Sequence, residues 1–225
     1  KWLARVSRQL KVPILMLSSA RVFAGRDVSA YREDDPPDGD SALAQMLRSA
    51  EASVQEHSER PVVLRMGPVF GPGGSTSLSQ LLDELHAHGE LALSRQRQGC
   101  PVPAEDAARV ISGMIDQYGC GLEAWGIYHY CSPDMTNCYE FAEVLLAAAT
   151  QYTQFEEGAL SLLVAEDADA AVSHSLDCTR IRDTFAIKQQ PWRASAAGYV
   201  KLYYREQKQE DASGGEGYGH RDASA

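Results

Sequence analysis

The sequence predicts an α/β fold with a partly parallel sheet. Short apolar runs that fit buried strands alternate with longer stretches that have the 3.6-residue period of amphipathic helices. The clearest strand candidates are Val12–Leu17, Pro61–Met66 and Trp125–Cys131. Between the first two, Ser41–His57 places apolar or small residues on one helical face. Strands separated by helices form parallel sheets, because the returning strand needs a long crossover.

The remaining elements are predicted from capping and turn residues. Gly25–Asp40 is rich in Asp, Pro and Gly and is expected to be a loop, and Ser41 or Asp40 caps the helix after it. Gly89 ends the helix that begins at Leu78. The other expected elements are a helix over residues 2–10, a short strand over Leu91–Leu93, and helices over Pro103–Tyr118, Thr136–Tyr152, Asp177–Phe185 and Ala194–Tyr204.

The charge of the chain limits the partners that we expect. The 225 residues carry a formal net charge of −10 at pH 7. Nucleic acids and anionic membranes favour basic surfaces, so we expect neither as a partner. A local arginine pocket can still hold a small anionic ligand. Near the N-terminus the apolar stretch has about six residues and contains Pro13, so we expect a helix end and a strand, not a signal peptide, and a cytoplasmic protein.

The cysteines and histidines do not form a metal-binding pattern. The sequence has five cysteines but no C-x-x-C pair, and neither His129 nor His174 completes a zinc-type spacing. We therefore expect ordinary reduced thiols and no metal. His129 lies between aromatic residues on a predicted strand, so we expect a packed core residue.

The stretch LSSARVFAGRDVSAYREDD has the pattern of an active-site rim. Two hydroxyl residues, Ser18 and Ser19, end a buried strand, and the chain then turns through Gly25 toward an acidic cluster. Ligands of α/β sheets bind at the carboxyl ends of the strands. The glycine-rich GPVFGPGG of residues 67–74 lacks the spacing of a dinucleotide or phosphate loop, so we expect a turn there.

Six stretches, in order along residues 10–195, carry a set of family motifs. LSSARVFAG is similar to S-T-D-Y-V-F-x-G, YREDDPP to Y-x-E-x-D-x-x-x-P, and VVLRMGPVFG to a strand that borders a nicotinamide. RQRQGCPVPAEDAARVI, WGIYHYCSPDMTNCYEFAEVLL and LDCTRIRDTFAIKQQPWR are similar to three later motifs. In these motifs the chain resembles the extended short-chain dehydrogenases, specifically their dTDP-4-dehydrorhamnose reductase-like branch.

The resemblance implies a partial Rossmann-like parallel sheet with a small α/β substrate-binding lobe. The chain enters this fold late, without the first βαβ units that carry the glycine-rich dinucleotide loop. Residues 1–74 are then the remaining C-terminal part of the Rossmann-like domain, and residues 75–205 are the substrate-binding lobe with returning Rossmann elements. Residues 206–225 are polar and glycine-rich, so we expect a disordered tail.

The resemblance also implies a catalytic machinery, of which the chain keeps one part. The family uses a tyrosine proton donor, a lysine four residues later that lowers its pKa, and a Ser or Thr at the same carbonyl. Ser19 matches the Ser/Thr position, and Glu51 matches a glutamate that follows the pair. Counting back in steps of four places Leu47 at the lysine position and Leu43 at the tyrosine position. Because leucine cannot donate a proton, we expect the proton donor to be lost.

Binding residues are assigned by the same resemblance. Those expected to border NADP or NAD are Ser18, Met66, Gly67 and Pro68. Those expected to contact a nucleotide-sugar-like substrate are Arg21, Phe70, Arg97 and Pro101. Arg65 and Arg95 are further candidates, since guanidinium groups suit phosphates.

Three functions remain open from the sequence. The first is a degenerate relative that binds a sugar nucleotide, or regulates, without reductase turnover. The second is an NADPH-dependent sugar-nucleotide reductase of which this chain is a fragment. The third is a non-catalytic interaction subunit, with a protein partner or a second copy of the chain.

Overall fold

The computed structural model describes residues 1–26, 30–155, 160–162 and 172–214. The helices in these ranges are α1 (Trp2–Leu10), α2 (Ala42–His57), α3 (Ser77–His88), α4 (Ala104–Gly119), α5 (Cys138–Ala149), α6 (Thr179–Phe185) and α7 (Arg193–Gly214), with a 3-10 helix at Ala20–Val22. The strands are β1 (Ile14–Ser19), β2 (Pro61–Met66), β3 (Val69–Phe70), β4 (Leu91–Leu93), β5 (Arg97–Gly99), β6 (Val102–Pro103), β7 (Gly126–Tyr130), β8 (Thr136–Asn137), β9 (Leu160–Leu162) and β10 (Val172–Ser173).

A central parallel sheet has the strand order β1-β2-β7. Helix α2 is the crossover between β1 and β2, and its N-terminus is capped by the Ser41 side chain, which accepts a hydrogen bond from the Ala44 amide. The register brings Ser19, Met66 and Tyr130 into one row. The three strands therefore end together, at the edge where α/β sheets bind ligands.

Smaller sheets surround the strand ends. Their orders are β10-β5-β8, β3-β6 and β4-β9. One buried cluster, which includes Leu64, Tyr128 and Phe185, lies around the central sheet. A second cluster joins α3, α5 and α7 around Phe70 and Trp192. No helix in the described ranges is long and apolar enough to span a membrane.

The first strand begins two residues later than the sequence pattern predicts. Lys11 adopts a left-handed conformation with φ 54° at the end of α1, and the Val12 amide donates to the Ser7 carbonyl. Val12 therefore completes the helix end, and the strand starts after Pro13, at Ile14. Apolar character extends through this turn, so it does not mark the strand boundary.

The last helix corrects the expectation of a disordered tail from residue 206. Helix α7 continues to Gly214, and the remainder of the expected tail lies outside the described residues. The low hydrophobicity of EQKQEDAS predicted disorder, but Glu, Lys, Gln and Ala are strong helix formers.

Helix α5 is shorter than expected, because Thr136 and Asn137 form β8 and the Asn137 side chain caps the helix that follows.

Candidate functional site

Ser19 ends β1 with its hydroxyl only partly buried. Its Oγ accepts a hydrogen bond from the Arg21 amide at 3.2 Å and so caps the 3-10 helix. This contact uses an oxygen lone pair and leaves the hydroxyl proton for another acceptor. Ser19 can therefore donate a hydrogen bond to a ligand oxygen at the strand ends.

Ser18 is placed differently. It is buried, and its hydroxyl donates to the Glu51 carboxylate in α2. The resemblance assigned Ser18 to the nicotinamide, but here the hydroxyl holds β1 against α2. The alternation of side chains along a strand explains why two adjacent serines face opposite sides.

Glu51 and Arg65 form an ion pair in the interior. Both residues are 2% exposed, and the Arg65 Nη2 lies 2.7 Å from the Glu51 Oε2. The Arg65 Nε also donates to both carboxylate oxygens, at 3.1 and 3.2 Å. This pairing corrects the expectation that Arg65 can bind a phosphate, since its charge is already neutralised away from solvent.

His129 is a packed core residue, as predicted. It is fully buried, and its Nδ1 donates to the Tyr31 carbonyl at 3.1 Å, while its Nε2 lies 3.4 Å from Arg65 Nη1. Burial and the neighbouring Arg65 charge lower the pKa of the imidazole from 6.5 to about 3. The neutral ring accepts from Arg65 and anchors the Tyr31 loop to β7.

Acid should destabilise the protein through His129. Above pH 6.5 the imidazole is neutral in both the folded and the unfolded state, and it contributes nothing to the pH dependence. As the pH falls from 6.5 toward 3, only the unfolded state binds the proton, so folding weakens by about 2 kcal/mol at pH 5. Between pH 7.5 and pH 5.0, we expect the free energy of unfolding of His129→Gln to fall by about 2 kcal/mol less than that of the wild type, measured by urea unfolding. The exposed control His88→Gln should keep the wild-type dependence; equal pH dependence of all three proteins would contradict the prediction.

The acidic loop motif also has a structural role that its sequence pattern alone does not indicate. Glu33, in YREDDPP, is half-buried, and its Oε1 accepts a hydrogen bond from the His129 amide at 3.2 Å. Burial raises the pKa of the Glu33 carboxyl. The glutamate of the family motif was the available signal for this contact.

Arg21 and Arg97 lie on two segments that are joined through His174. Both arginines are exposed. Burial of His174 lowers the pKa of its imidazole, and the positive charges of Arg21 and Arg97 lower it further. Arg97 is on β5, which pairs with β10 just before His174. The His174 Nε2 donates to the carbonyl of Phe23, which lies two residues after Arg21, at 3.2 Å. Neither arginine has a carboxylate partner within 4.0 Å among the described residues. Within the described ranges, the two guanidinium groups are thus not neutralised by a carboxylate.

Leu43 and Leu47 lie on α2, one turn apart. Leu47 is partly buried and packs against the cluster that contains Ala20, Val22 and Phe23, directly after Ser19. Leu43 is 37% exposed. The correspondence of these positions to the family's tyrosine and lysine stays a prediction, but both side chains are apolar and α2 approaches the 3-10 helix that follows Ser19.

Other predicted residues divide between the site and the core. Met66 and Gly67 lie at the end of β2, and a Cβ on Gly67 would meet the Cys100 carbonyl oxygen at 2.1 Å, so only glycine allows this approach. Pro68 is exposed, whereas Pro101 is buried. Phe70 is fully buried against Phe141, Trp192 and Tyr199 and belongs to the core. Arg95 lies over the Tyr139 ring, 4.7 Å from its centroid.

A cleft of about 450 Å³ opens elsewhere, beside the start of α6, and is lined partly by Thr179, Arg182 and Lys188. It contains none of the predicted site residues. In the part of the chain that the structure describes, no group of three or more His, Cys, Asp or Glu residues is arranged to hold a metal.

The fold defines the class of protein. A parallel sheet with helical crossovers is an α/β, Rossmann-like architecture, which confirms the predicted fold class. The chain belongs to the RmlD substrate binding domain family, which matches residues 1–205.

Relatives are similar over most of this chain. A spore coat polysaccharide biosynthesis protein, SpsK, of Bacillus subtilis is 23% identical over 197 residues, covering 87% of this chain and 66% of the relative. A dTDP-4-dehydrorhamnose reductase of Sinorhizobium fredii is 23% identical over 205 residues, covering 88% and 69%. The chain thus spans about two thirds of the length of these relatives.

Solved structures share the fold at low identity. The dTDP-4-dehydrorhamnose reductase of Bacillus anthracis in complex with NADP matches with a TM-score of 0.76 and 16% identity, covering 88% of this chain and 68% of that chain. The enzyme WbmH of Bordetella bronchiseptica in complex with NAD+ matches with a TM-score of 0.73 and 21% identity, covering 91% and 66%.

Proposed function

We propose that this chain binds a sugar nucleotide at the ends of the central strands and lacks the proton-donating chemistry of a reductase. One juxtaposition carries the proposal. The Ser19 hydroxyl lies at the end of β1, the exposed Arg21 and Arg97 have no carboxylate partner within 4.0 Å among the described residues, and the tyrosine and lysine positions implied by the resemblance hold Leu43 and Leu47.

The two arginines suit the diphosphate of a sugar nucleotide. A guanidinium group can bind phosphate oxygens through two parallel hydrogen bonds. The protein as a whole carries −10 charge, so an anion is attracted only where cations are concentrated. With the diphosphate bound by Arg21 and Arg97, the Ser19 hydroxyl supplies a donor for a sugar or phosphate oxygen.

Reduction of a keto-sugar needs more than this binding. A hydride adds to the carbonyl carbon only if the carbonyl oxygen receives a proton or an equivalent charge. Ser19 can polarise that oxygen by a hydrogen bond, but its ordinary hydroxyl is a weak acid without a cationic neighbour such as the family's lysine. Leucines at positions 43 and 47 supply neither a proton nor a positive charge.

The residues present do not complete a dinucleotide site. Strand β1 leads into a short 3-10 helix and not into a glycine-rich loop, and the Ser18 hydroxyl is engaged by Glu51. Met66, Gly67 and Pro68 could border only the nicotinamide end of NADP or NAD.

Isothermal titration calorimetry with dTDP, the nucleotide named for two relatives, tests the binding. We expect saturable 1:1 binding, and we expect thymidine to bind at least tenfold more weakly because it lacks the diphosphate. A parallel titration with UDP shows whether the base is recognised. Absence of binding to both diphosphates, or equal affinity for thymidine, would contradict the proposal.

A working NADPH-dependent reductase is the second candidate. The hydroxyl proton of Ser19 is free to donate, and the chain spans only about two thirds of the relatives' length. A preceding segment with a glycine-rich loop could complete the cofactor site, and an unconventional donor would then be required. Such a segment in the intact reading frame favours this candidate.

Restoring the missing pair should not restore turnover. We expect the double variant Leu43→Tyr, Leu47→Lys to lose about 1–2 kcal/mol of stability, mainly because Leu47 gives up partly buried apolar contacts. We expect no reductase activity, since the dinucleotide loop is also absent from this chain. Urea unfolding and an NADPH oxidation assay measure both effects, with Met46→Lys, at a 62% exposed position, as the control for a surface charge. Activity in the double variant would contradict this expectation.

A further inference from the structure

Three buried cysteines lie together beside the end of β7. Cys131 directly follows β7, Cys178 directly precedes α6, and Cys100 follows β5. All three are free thiols that are at most 5% exposed. The Cys131 and Cys178 Sγ atoms are 3.8 Å apart, and they lie 3.5 and 3.6 Å from the Leu176 carbonyl oxygen. The fold thus brings two thiols that are 47 residues apart in the sequence into contact.

Of these two thiols, Cys178 is the one that lines a cavity. It borders the cleft of about 450 Å³ beside the start of α6, which is also lined by the charged residues Arg182 and Lys188. Neither Cys131 nor Cys100 is among the described residues that line this cleft. A small polar solute that enters the cleft therefore meets the Cys178 thiol first.

The other two thiols are held in the protonated form. The hydrogen bond with Cys100 lowers the pKa of the Cys131 thiol, but the hydrogen bond with Cys178 and burial raise it, and the net result is a pKa above the usual value. A hydrogen bond with Cys131 and burial likewise raise the pKa of Cys100. Because the thiolate is the nucleophile of cysteine chemistry, neither is suited to attack an electrophile directly. Cys178 is thus the thiol placed to react first.

We propose that Cys178 is an oxidation site for small hydroperoxides, and that Cys131 completes a disulfide with it. The Cys178 sulfur attacks the terminal peroxide oxygen, the O–O bond breaks, and an alcohol or water leaves with the thiol proton, which gives a sulfenic acid. The Cys131 sulfur then bonds to the Cys178 sulfur, and the sulfenic hydroxyl leaves as water with the Cys131 proton. One peroxide is reduced by two electrons, and two thiols become one disulfide. This proposal is independent of whether the strand ends bind a sugar nucleotide.

The disulfide would tie the segment 172–178 to the end of β7. This segment already holds Tyr31, whose amide donates to the Ser175 carbonyl at 2.9 Å and whose carbonyl accepts from the Asp177 amide at 2.8 Å. A cross-link between residues 47 apart in the sequence restricts the unfolded chain. We therefore expect the oxidised protein to unfold at a higher urea concentration than the reduced protein.

Disulfide mapping of the folded 225-residue chain tests the proposal. The chain is treated with hydrogen peroxide, its remaining thiols are alkylated after denaturation, and its peptides are identified by mass spectrometry with and without dithiothreitol. We expect peptides that link Cys131 to Cys178 as the main product, and we expect Cys178 to be consumed at least tenfold faster than Cys100. Cys120 and Cys138 are exposed and serve as internal controls for unassisted oxidation. The proposal is overturned if these two account for the thiols lost while Cys131 and Cys178 can still be alkylated.

Matched serine variants separate the two roles. Cys131→Ser should stop at the sulfenic acid of Cys178, which dimedone labels, and peroxide should no longer raise its urea midpoint. Cys178→Ser should leave Cys131 reduced. Cys100→Ser removes another buried thiol of the same cluster and should still form the disulfide with the wild-type increase in midpoint. A link between Cys100 and Cys131 that forms in Cys178→Ser at the wild-type rate would contradict the assignment, and the wild-type map decides the question if a variant does not fold.

Discussion

Glu51→Leu is expected to cost about 3–5 kcal/mol of folding free energy, because it leaves the Arg65 charge buried without a partner. Arg65 is 2% exposed and makes three hydrogen bonds to the Glu51 carboxylate. Its remaining contacts, with His129 and with the Phe23 ring, cannot neutralise a full charge. Urea unfolding at pH 7.5 measures the loss.

The double variant Glu51→Leu, Arg65→Met should recover much of this loss. Two apolar side chains of similar volume remove both charges, and replacement of a buried ion pair in this way is often close to neutral. Arg8→Ala is the control for an exposed pair, since Arg8 and Glu59 have side chains that are each 59% exposed, and we expect less than about 1 kcal/mol. A cost below about 1 kcal/mol for Glu51→Leu alone would show that the pair is hydrated in solution.

Arg21→Ser combined with Arg97→Ser is expected to weaken dTDP binding at least 100-fold. A hydrogen bond to a charged group contributes about 1.5–3 kcal/mol, so the loss of two guanidinium contacts exceeds about 3 kcal/mol. Each single variant should lose about tenfold. Calorimetry on the wild-type and variant chains measures the affinities, and circular dichroism verifies that the variants are folded.

Arg205→Ser is the matched control for net charge. Arg205 is exposed on α7 and is not among the residues proposed to bind the ligand. It should leave dTDP affinity within about twofold of wild type, because an exposed charge that makes no direct contact with the ligand is screened by solvent and salt. Equal losses in Arg205→Ser and in the Arg21 variant would show that the effect is one of overall charge.

The sequence predicted the helices and strands well where a capping residue or a clear hydrophobic periodicity was present. Ser41 caps α2, Gly89 ends α3 with φ 75°, and Pro61–Met66 is the predicted strand with its predicted bounds. Boundaries set by backbone geometry were missed, as at Lys11, whose left-handed conformation delays β1. Helix propensity outweighed polar composition at the end of α7.

Local sequence patterns do not predict contacts between residues that are far apart in the sequence. Arg65 looked like a phosphate ligand because its partner, Glu51, is 14 residues away on another element and the burial of both depends on the packed sheet. The position of Arg97 beside the strand that leads to His174 likewise depends on the pairing of β5 with β10. Phe70, assigned to the substrate by resemblance, is in the core because β3 turns it toward Trp192.

NADPH oxidation at 340 nm, with dTDP-4-dehydrorhamnose as substrate and the full-length gene product as enzyme, shows whether the protein binds a sugar nucleotide without reducing it. The substrate concentration is set to saturate the binding that calorimetry measures, and a dTDP-4-dehydrorhamnose reductase serves as the positive control. We expect binding without oxidation above the rate of NADPH alone. Turnover that is stoichiometric with reduced sugar would contradict it, and turnover that survives Ser19→Ala would also remove Ser19 from the site.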